Sequence, residues 1–302
     1  MFGKKNNVTR FRYFDNDSNK FKAFFPVEGA EICSGFVDYF TKEYEGSTIT
    51  PSYSYPNGKE ILALKLRIDK RSVPGTLLNK EFEKQLKKII KQNETIDEYS
   101  GEVVEYKPSK DMKRELKNAI KNKLLKDMPA IPKYLDVYIN KTDGYGYISS
   151  TSKKDIEELE NLIIDNFEEY PITEKLDETD FHHFAVDVWD NRNKEKYLIS
   201  VGNDNKLIDA NGEGKVQFAG VDDESMVDSL LEKVYSFSEV EFVMKNYDAS
   251  FKMKNFDSIY GFVDEAMIVE EDEQSEEVEQ RMIALDALFK VVGDSVNIFV
   301  GE

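Results

Sequence analysis

A chain of 302 residues, 40% hydrophobic and 33% charged, can bury roughly three quarters of its unfolded surface and reads as globular, not disordered. No window approaches the ~20 consecutive apolar residues of a membrane span. Met1-Phe2-Gly3-Lys4-Lys5-Asn6-Asn7 lacks the apolar stretch of a signal peptide, and the single Cys33 excludes an internal disulfide and fits a reducing, cytoplasmic setting. The net charge of −18 argues against a polyanionic partner, yet it is unevenly spread. Residues 1–127 hold 25 Lys/Arg against 19 Asp/Glu, whereas residues 128–302 hold 16 against 40.

In chain order, Val8 to Phe14 alternates as a strand, Ala30 to Tyr44 has the spacing of a helix through Ile32, Phe36, Tyr39 and Phe40, and Glu60 to Ile68 is a strong strand. Ser72-Val73-Pro74-Gly75-Thr76 breaks the chain. Two helices follow. One runs from about Leu77 to Gln92 on a stripe of Leu78, Phe82, Leu86, Ile89 and Ile90. The other runs from a Ser109 N-cap to about Lys126, on Met112, Leu116, Ala119, Ile120 and Leu124. Asn93 to Lys107 between them reads as a loop or a short ribbon, so the pair forms a projecting helical hairpin.

Tyr134 to Ile139 and Tyr145 to Ser149 then form a β-hairpin, and Ser152 with Asp155 resembles a capping box opening a helix on Ile156, Leu159, Ile163 and Phe167. Beyond Pro171 the pattern is mostly β: Phe184–Trp189, Lys196–Val201, and a hairpin of Lys206–Ile208 and Lys215–Ala219. A helix over Asp223–Tyr235, strands Glu239–Lys245 and Ser250–Asn255, a helix over Glu276–Val291 and a strand Val296–Val300 complete it. Seven acids within Glu270–Glu279 read as a solvated loop and helix entry. The expectation is an α+β chain. Residues 1–170 form an α/β region carrying the hairpin at about 76–128, and residues 171–302 form an acidic, mostly β region.

The lysines of the hairpin are the most informative feature. Lys80, Lys84, Lys87 and Lys91 follow i, i+4, i+7, i+11 and share one helix face. Lys110, Arg114, Lys117 and Lys121 repeat the spacing, with Lys113 and Lys123 nearby. Each row is about 16 Å long at ~1.5 Å per residue, and duplex DNA carries one charge per ~1.7 Å. A solvated helix face is the other reading of the same spacing. The sixteen Tyr and twenty Phe do not interleave with the rows, as a stacking platform for single strands requires, and read as core.

Signals for catalysis are weak. His182 and His183, the two histidines, sit side by side in an expected strand and so point to opposite faces, unable to share a metal. There is no Cys cluster, G-x-S-x-G, Walker A loop or G-x-G-x-x-G. Asp187 and Asp190 near Lys194 and Lys196 come closest to a nuclease-like acid pair. The expectation is a protein that is not an enzyme, without catalytic residues, metal or cofactor.

The order of segments resembles the RdgC family. Pro56-Asn57-Gly58-Lys59-Glu60-Ile61, with Arg67 to Pro74, is similar to its Gly-led strand, basic turn and proline before a long helix. Lys110 to Leu125 is similar to its Lys-rich helix ending in Leu-Leu, and Tyr134–Ile139, Gly144, Tyr145–Ser149 and the helix from Ser152 follow in its order. Gly214 to Asp222 resembles its basic hairpin, Glu241-Phe242-Val243-Met244 its next strand, and Ser295 to Glu302 its last strand. Where the family continues with Pro-Arg-Ala-Phe, this chain has Lys126-Asp127-Met128-Pro129 and lacks the aromatic of the tip contact.

The resemblance implies a horseshoe subunit with an α/β centre, a base and a helical tip, two of which close into a homodimeric ring around double-stranded DNA. It implies binding without sequence preference, a nucleoid association, and restricted access of a RecA-type recombinase to DNA. The expected contacts are Lys80, Lys84, Lys87, Lys91, Lys110, Lys113, Arg114, Lys117 and Lys121, with Lys215 on the second hairpin. Two other readings stay open: a metal-dependent exonuclease acting within such a ring, and an acidic interaction protein imitating nucleic acid.

Overall fold

The computed structural model describes residues 6–12, 21–43, 46–54, 58–96, 103–104, 106–142, 144–167, 178–192, 194–209, 211, 213–218, 224–233, 235–245, 250–256, 258–262, 285, 288–295 and 298–299. Its N-terminal elements are β1 (Asn6–Arg12), β2 (Phe21–Lys22), β3 (Ile32–Asp38), β4 (Thr48–Ile49), β5 (Ser52–Ser54) and β6 (Ile61–Lys70). Next come α1 (Gly75–Gln92), β7 (Thr95–Ile96), β8 (Val103–Val104), α2 (Lys110–Asp127), β9 (Ile131–Asn140), β10 (Tyr145–Ile148) and α3 (Lys153–Phe167). The remainder is α4 (Glu178–Asp190), β11 (Ile199–Val201), β12 (Lys206–Asp209), β13 (Lys215–Gln217), α5 (Glu224–Leu231), β14 (Tyr235–Met244), β15 (Ser250–Asn255) and β16 (Ser258–Phe262). Helices and antiparallel strands coexist, so the chain is α+β, as expected.

One twelve-stranded sheet runs in the order β13-β12-β14-β15-β16-β1-β10-β9-β6-β3, with β11 on β14 and β5 on β6. Its longest ladder joins β6 to β9 from Ile61↔Asn140 to Lys70↔Ile131. The N-terminal strand β1 lies between β10 and β16 and joins the two halves of the sheet. At that seam the buried Thr9 hydroxyl donates to Ser150 O at 2.7 Å and lies 3.2 Å from the Ser258 hydroxyl.

Strand alternation sends apolar side chains to both faces. On one face Leu62, Leu64, Leu66, Val137, Ile139 and Phe11 pack under α3 through Leu159, Leu162 and Ile163. On the other, Ala63, Tyr138, Tyr147, Ile259, Met253 and Val240 pack under Phe181, Phe184, Ala185 and Val188 of α4, with Leu288, Phe289 and Val292.

Three expected elements change type. Residues 30–44, expected as a helix, contain β3, which pairs with β6 over seven residues. Gly35 is the reason helical spacing loses there: a Cβ on it would stand 2.4 Å from Phe24 Cα. Phe184–Trp189, expected as a strand, lies in α4. Its Val-rich alternation conceals a helical stripe, Phe181, Phe184, Ala185 and Val188, all buried. Ile298 and Phe299 are helical instead of part of a terminal strand, and β16 has no counterpart in the sequence reading. Asp155 is drawn to the Ser150 hydroxyl at 2.5 Å and Lys133 at 2.5 Å, while the Ser152 N–H donates to Ser150 Oγ, so no capping box forms. The acidic run Glu270–Glu279 lies outside the described residues.

Gly35→Ala should lower stability by about 1–3 kcal/mol, because the methyl meets backbone that cannot move aside. Gly75→Ala, with open space around its Cβ, should not. Urea unfolding of both variants checks this, and equal midpoints would contradict the close approach at Gly35.

Candidate nucleic-acid interface

The hairpin is built locally. Pro74 precedes α1, where a fixed φ suits the helix start. At the far end the Asn93 side chain donates to Ile89 O at 2.8 Å. The Ser109 hydroxyl caps α2 by accepting the Met112 N–H at 3.2 Å. Between the helices, β7 and β8 pair as a two-stranded ribbon.

Helices α1 and α2 pack on each other, and α1 has no buried residue: Leu78, Phe82, Leu86, Ile89 and Ile90 are half-buried. Lys80, Lys84, Lys87 and Lys91 are exposed and diametrically opposite that stripe at 100° per residue. In the first half of α2, Met112 and Leu116 are half-buried, while Lys110, Lys113, Arg114 and Lys117 are exposed. Each row therefore points away from the partner helix, and the two rows occupy opposite edges of the hairpin.

Three of the cations have carboxylate neighbours. Lys84 lies 3.6 Å from Glu81, Arg114 lies 3.2 Å from Asp111, and Lys121 lies 2.6 Å from Glu31. Lys80, Lys87, Lys91, Lys110, Lys113 and Lys117 make no ion pair with another described residue. Lys121 differs from the rest of its row because the buried face of α2 rotates toward its C-terminal end, where Ile120 and Leu125 are buried. Its hydrogen bond and charge hold the Glu31 carboxyl below the ordinary carboxylate range.

That pair belongs to a brace at the hairpin root, which sequence reasoning missed. The Arg71 guanidinium donates to Val27 O at 3.1 Å and Ala30 O at 3.2 Å, fixing the turn before β3. Gly29 in this turn has φ +73°, and a Cβ there would meet Lys126 Cγ at 2.9 Å. A Gly next to an acid is too common a signal to have revealed it.

Lys215 is exposed on β13, at the other end of the sheet. Seven strand spacings separate β13 from β9, roughly 34 Å at ~4.8 Å each. The subunit does not bring it to the hairpin.

Of the candidate acid pair, Asp187 is consumed by structure, whereas Asp190 is exposed at the end of α4. Asp187 accepts from Lys196 at 2.9 Å, from Asn191 at 3.1 Å and, closer still, from the Tyr197 hydroxyl. Burial pushes the Asp187 carboxyl up, but these donors outweigh it and hold it below the ordinary range. Burial and the hydrogen bond to Asp187 push Tyr197 up to about 12. Among the described residues, no three His, Cys, Asp or Glu side chains converge as metal ligands would.

The histidines stand in α4, not in a strand, so their rings lie side by side with centroids 5.7 Å apart. His182 Nδ1 accepts the Phe237 N–H at 3.0 Å. The register shift between Lys206 and Leu207 in the β12–β14 ladder explains why that donor is available to a side chain.

The sequence matches the RdgC family, described as "Putative exonuclease, RdgC", over residues 52–226, more than half of the chain. The chain belongs to the RdgC family. No curated protein matches it. The matched span begins at β5 and holds the whole hairpin, α3, α4 and the β12–β13 pair. Membership of the RdgC family ties the chain to nucleic-acid work related to recombination.

The His182 contact gives a pH dependence. Burial first, and the charge of His183 second, lower its pKa from 6.5. The unfolded chain then binds the proton more readily, so this contribution is complete above pH 6.5 and is lost as pH falls through the folded value. His182→Gln keeps an acceptor for Phe237 N–H and should flatten the loss of stability between pH 6.5 and 5. Denaturation midpoints measured across that range check it, and parallel curves would refute it.

Proposed function

We propose that this RdgC-family chain binds duplex DNA without sequence preference as a ring-shaped homodimer, and that it thereby limits access of a RecA-type recombinase to DNA. The observation that carries the reading is the hairpin: six exposed lysines without ion partners among the described residues, on an extended helical pair in a protein of net charge −18. Cations held at ~1.5 Å of rise per residue suit phosphates, and phosphate contacts position a protein without reading bases. Opposite-edge rows change the expected footprint. A duplex meets one row per hairpin, and two subunits together supply about six phosphate contacts.

The incompletely covered stripe of α1 favours association through the hairpin, and twofold closure is the commonest solution for homo-oligomers. A role without chemistry is supported by the saturation of Asp187. The family description favours the exonuclease reading instead. No helix of the described residues is long and apolar enough to cross a membrane, and we propose a cytoplasmic, nucleoid-associated protein.

Log affinity for duplex should fall against log salt with a slope near −5 if about six phosphates are neutralised. Lys84→Glu/Lys87→Glu and Lys110→Glu/Lys117→Glu, each reversing two members of one row, should differ. The row facing DNA weakens binding to all sequences at least tenfold, and the other leaves it near wild type. Fluorescence anisotropy on two unrelated duplexes reads both, and unchanged affinity in both variants would defeat the mechanism. Light scattering should report a dimer at tens of micromolar protein. Incubation of end-labelled duplex with magnesium should leave it intact, and cleavage abolished by EDTA would establish the exonuclease reading.

A further inference from the structure

A groove of about 660 Å³ lies at the β13 end of the sheet, far from the hairpin. Strand register builds it. Lys206 on β12 stands directly across from Glu239 on β14, and Lys254 on β15 flanks the same carboxylate. Lys206 Nζ is 2.8 Å and Lys254 Nζ 3.3 Å from the Glu239 oxygens. Glu239 is buried at 8% exposure, so it fixes the two ammonium groups in place. Lys215 on β13 is exposed at the rim and makes no ion pair with another described residue, and Ile208 and Gln217 are among the other lining residues.

Three lysines and one carboxylate leave a local surplus of positive charge within residues 128–302, where acids outnumber bases 40 to 16. Duplex DNA carries one charge per ~1.7 Å and would extend beyond the groove past Asp209 and Glu213 at the end of the β12–β13 hairpin. A short peptide ends before it reaches them, and screening over ~10 Å shelters it from the rest. Ile208 and the lysine stems offer an apolar strip between the charges. We propose that this groove binds a short acidic peptide segment of a partner protein, its carboxylates on Lys206, Lys215 and Lys254 and one apolar side chain over Ile208.

The probe is a fluorescein-labelled Asp-Asp-Leu-Asp-Asp peptide, titrated with the full-length protein at low salt and followed by anisotropy. Lys215→Glu, alone and with Lys254→Gln, is the test. Lys206 stays in place to partner Glu239, and the single variant changes only an exposed side chain. Binding should weaken at least tenfold in the double variant and severalfold in the single one. It should persist in the hairpin variants and in saturating duplex. No binding by the wild-type protein up to millimolar concentration overturns the proposal. So does peptide affinity that the variants leave unchanged. Displacement of the peptide by duplex, with duplex affinity reduced by Lys215→Glu, overturns it in favour of a second phosphate-contacting surface.

Discussion

Everything the hairpin can do depends on the ladder between β6 and β9. Those strands are paired from Ile61↔Asn140 to Lys70↔Ile131, and the whole of α1, the ribbon and α2 leaves the sheet after Lys70 and returns at Ile131. The ladder holds both feet of the insertion one strand apart. Loop-closure cost grows slowly with length, at about 0.6 kcal/mol per doubling, so a long excursion between paired strands is thermodynamically tolerable. Arg71 and the Gly29 turn then restrict how the insertion leaves the sheet.

The same economy separates two kinds of cation. Lys65 and Lys206 sit within the sheet, engaged by Asp136 and Glu239, and belong to its architecture. The lysines of α1 and the first half of α2 stand on helices that contribute little to the core. Their removal touches few packed atoms, and exposed ion pairs such as Arg114–Asp111 contribute at most about 1 kcal/mol. Net charge is a poor guide to partners in such a chain, because association responds to the local surface, with a screening length of ~10 Å at 0.1 M salt.

How much was legible depended on whether local chemistry and tertiary context agreed. The hairpin helices were readable because Ser109 is a strong cap, Pro74 a strong break, and both stripes keep a 3.6-residue period. Strands β1, β6, β9, β14 and β15 were readable from alternation. Segment 184–189 misleads because Val186 and Val188 favour strands, while the helical stripe begins at Phe181, before that segment. Segment 32–38 misled because the decisive contact, Gly35 beneath Phe24, is set by the sheet and not by neighbours in sequence. For the candidate interface, the spacing placed each row on one face. It could not reveal that the rows face opposite ways, or that Lys121 is held by an acid ninety positions earlier. The meeting of Lys206, Glu239 and Lys254 was equally invisible, since each occupies an ordinary polar position of its own strand.

The placement of β1 between β10 and β16 has a consequence for synthesis. Pairing of β1 with β10 spans about 140 positions, and pairing with β16 about 250, as the Thr9 contacts to Ser150 and Ser258 illustrate. During translation the first strand can join its inner neighbour while much of the chain is still unmade. Its outer edge, with Thr9 and the hydrogen-bonding groups beside it, then waits for β16 to leave the ribosome. An unpaired edge is a template for pairing with other chains, and long-range strand pairing is slow to form. The nascent protein thus carries its greatest liability to self-association along the seam that, once closed, lies buried at the middle of the sheet.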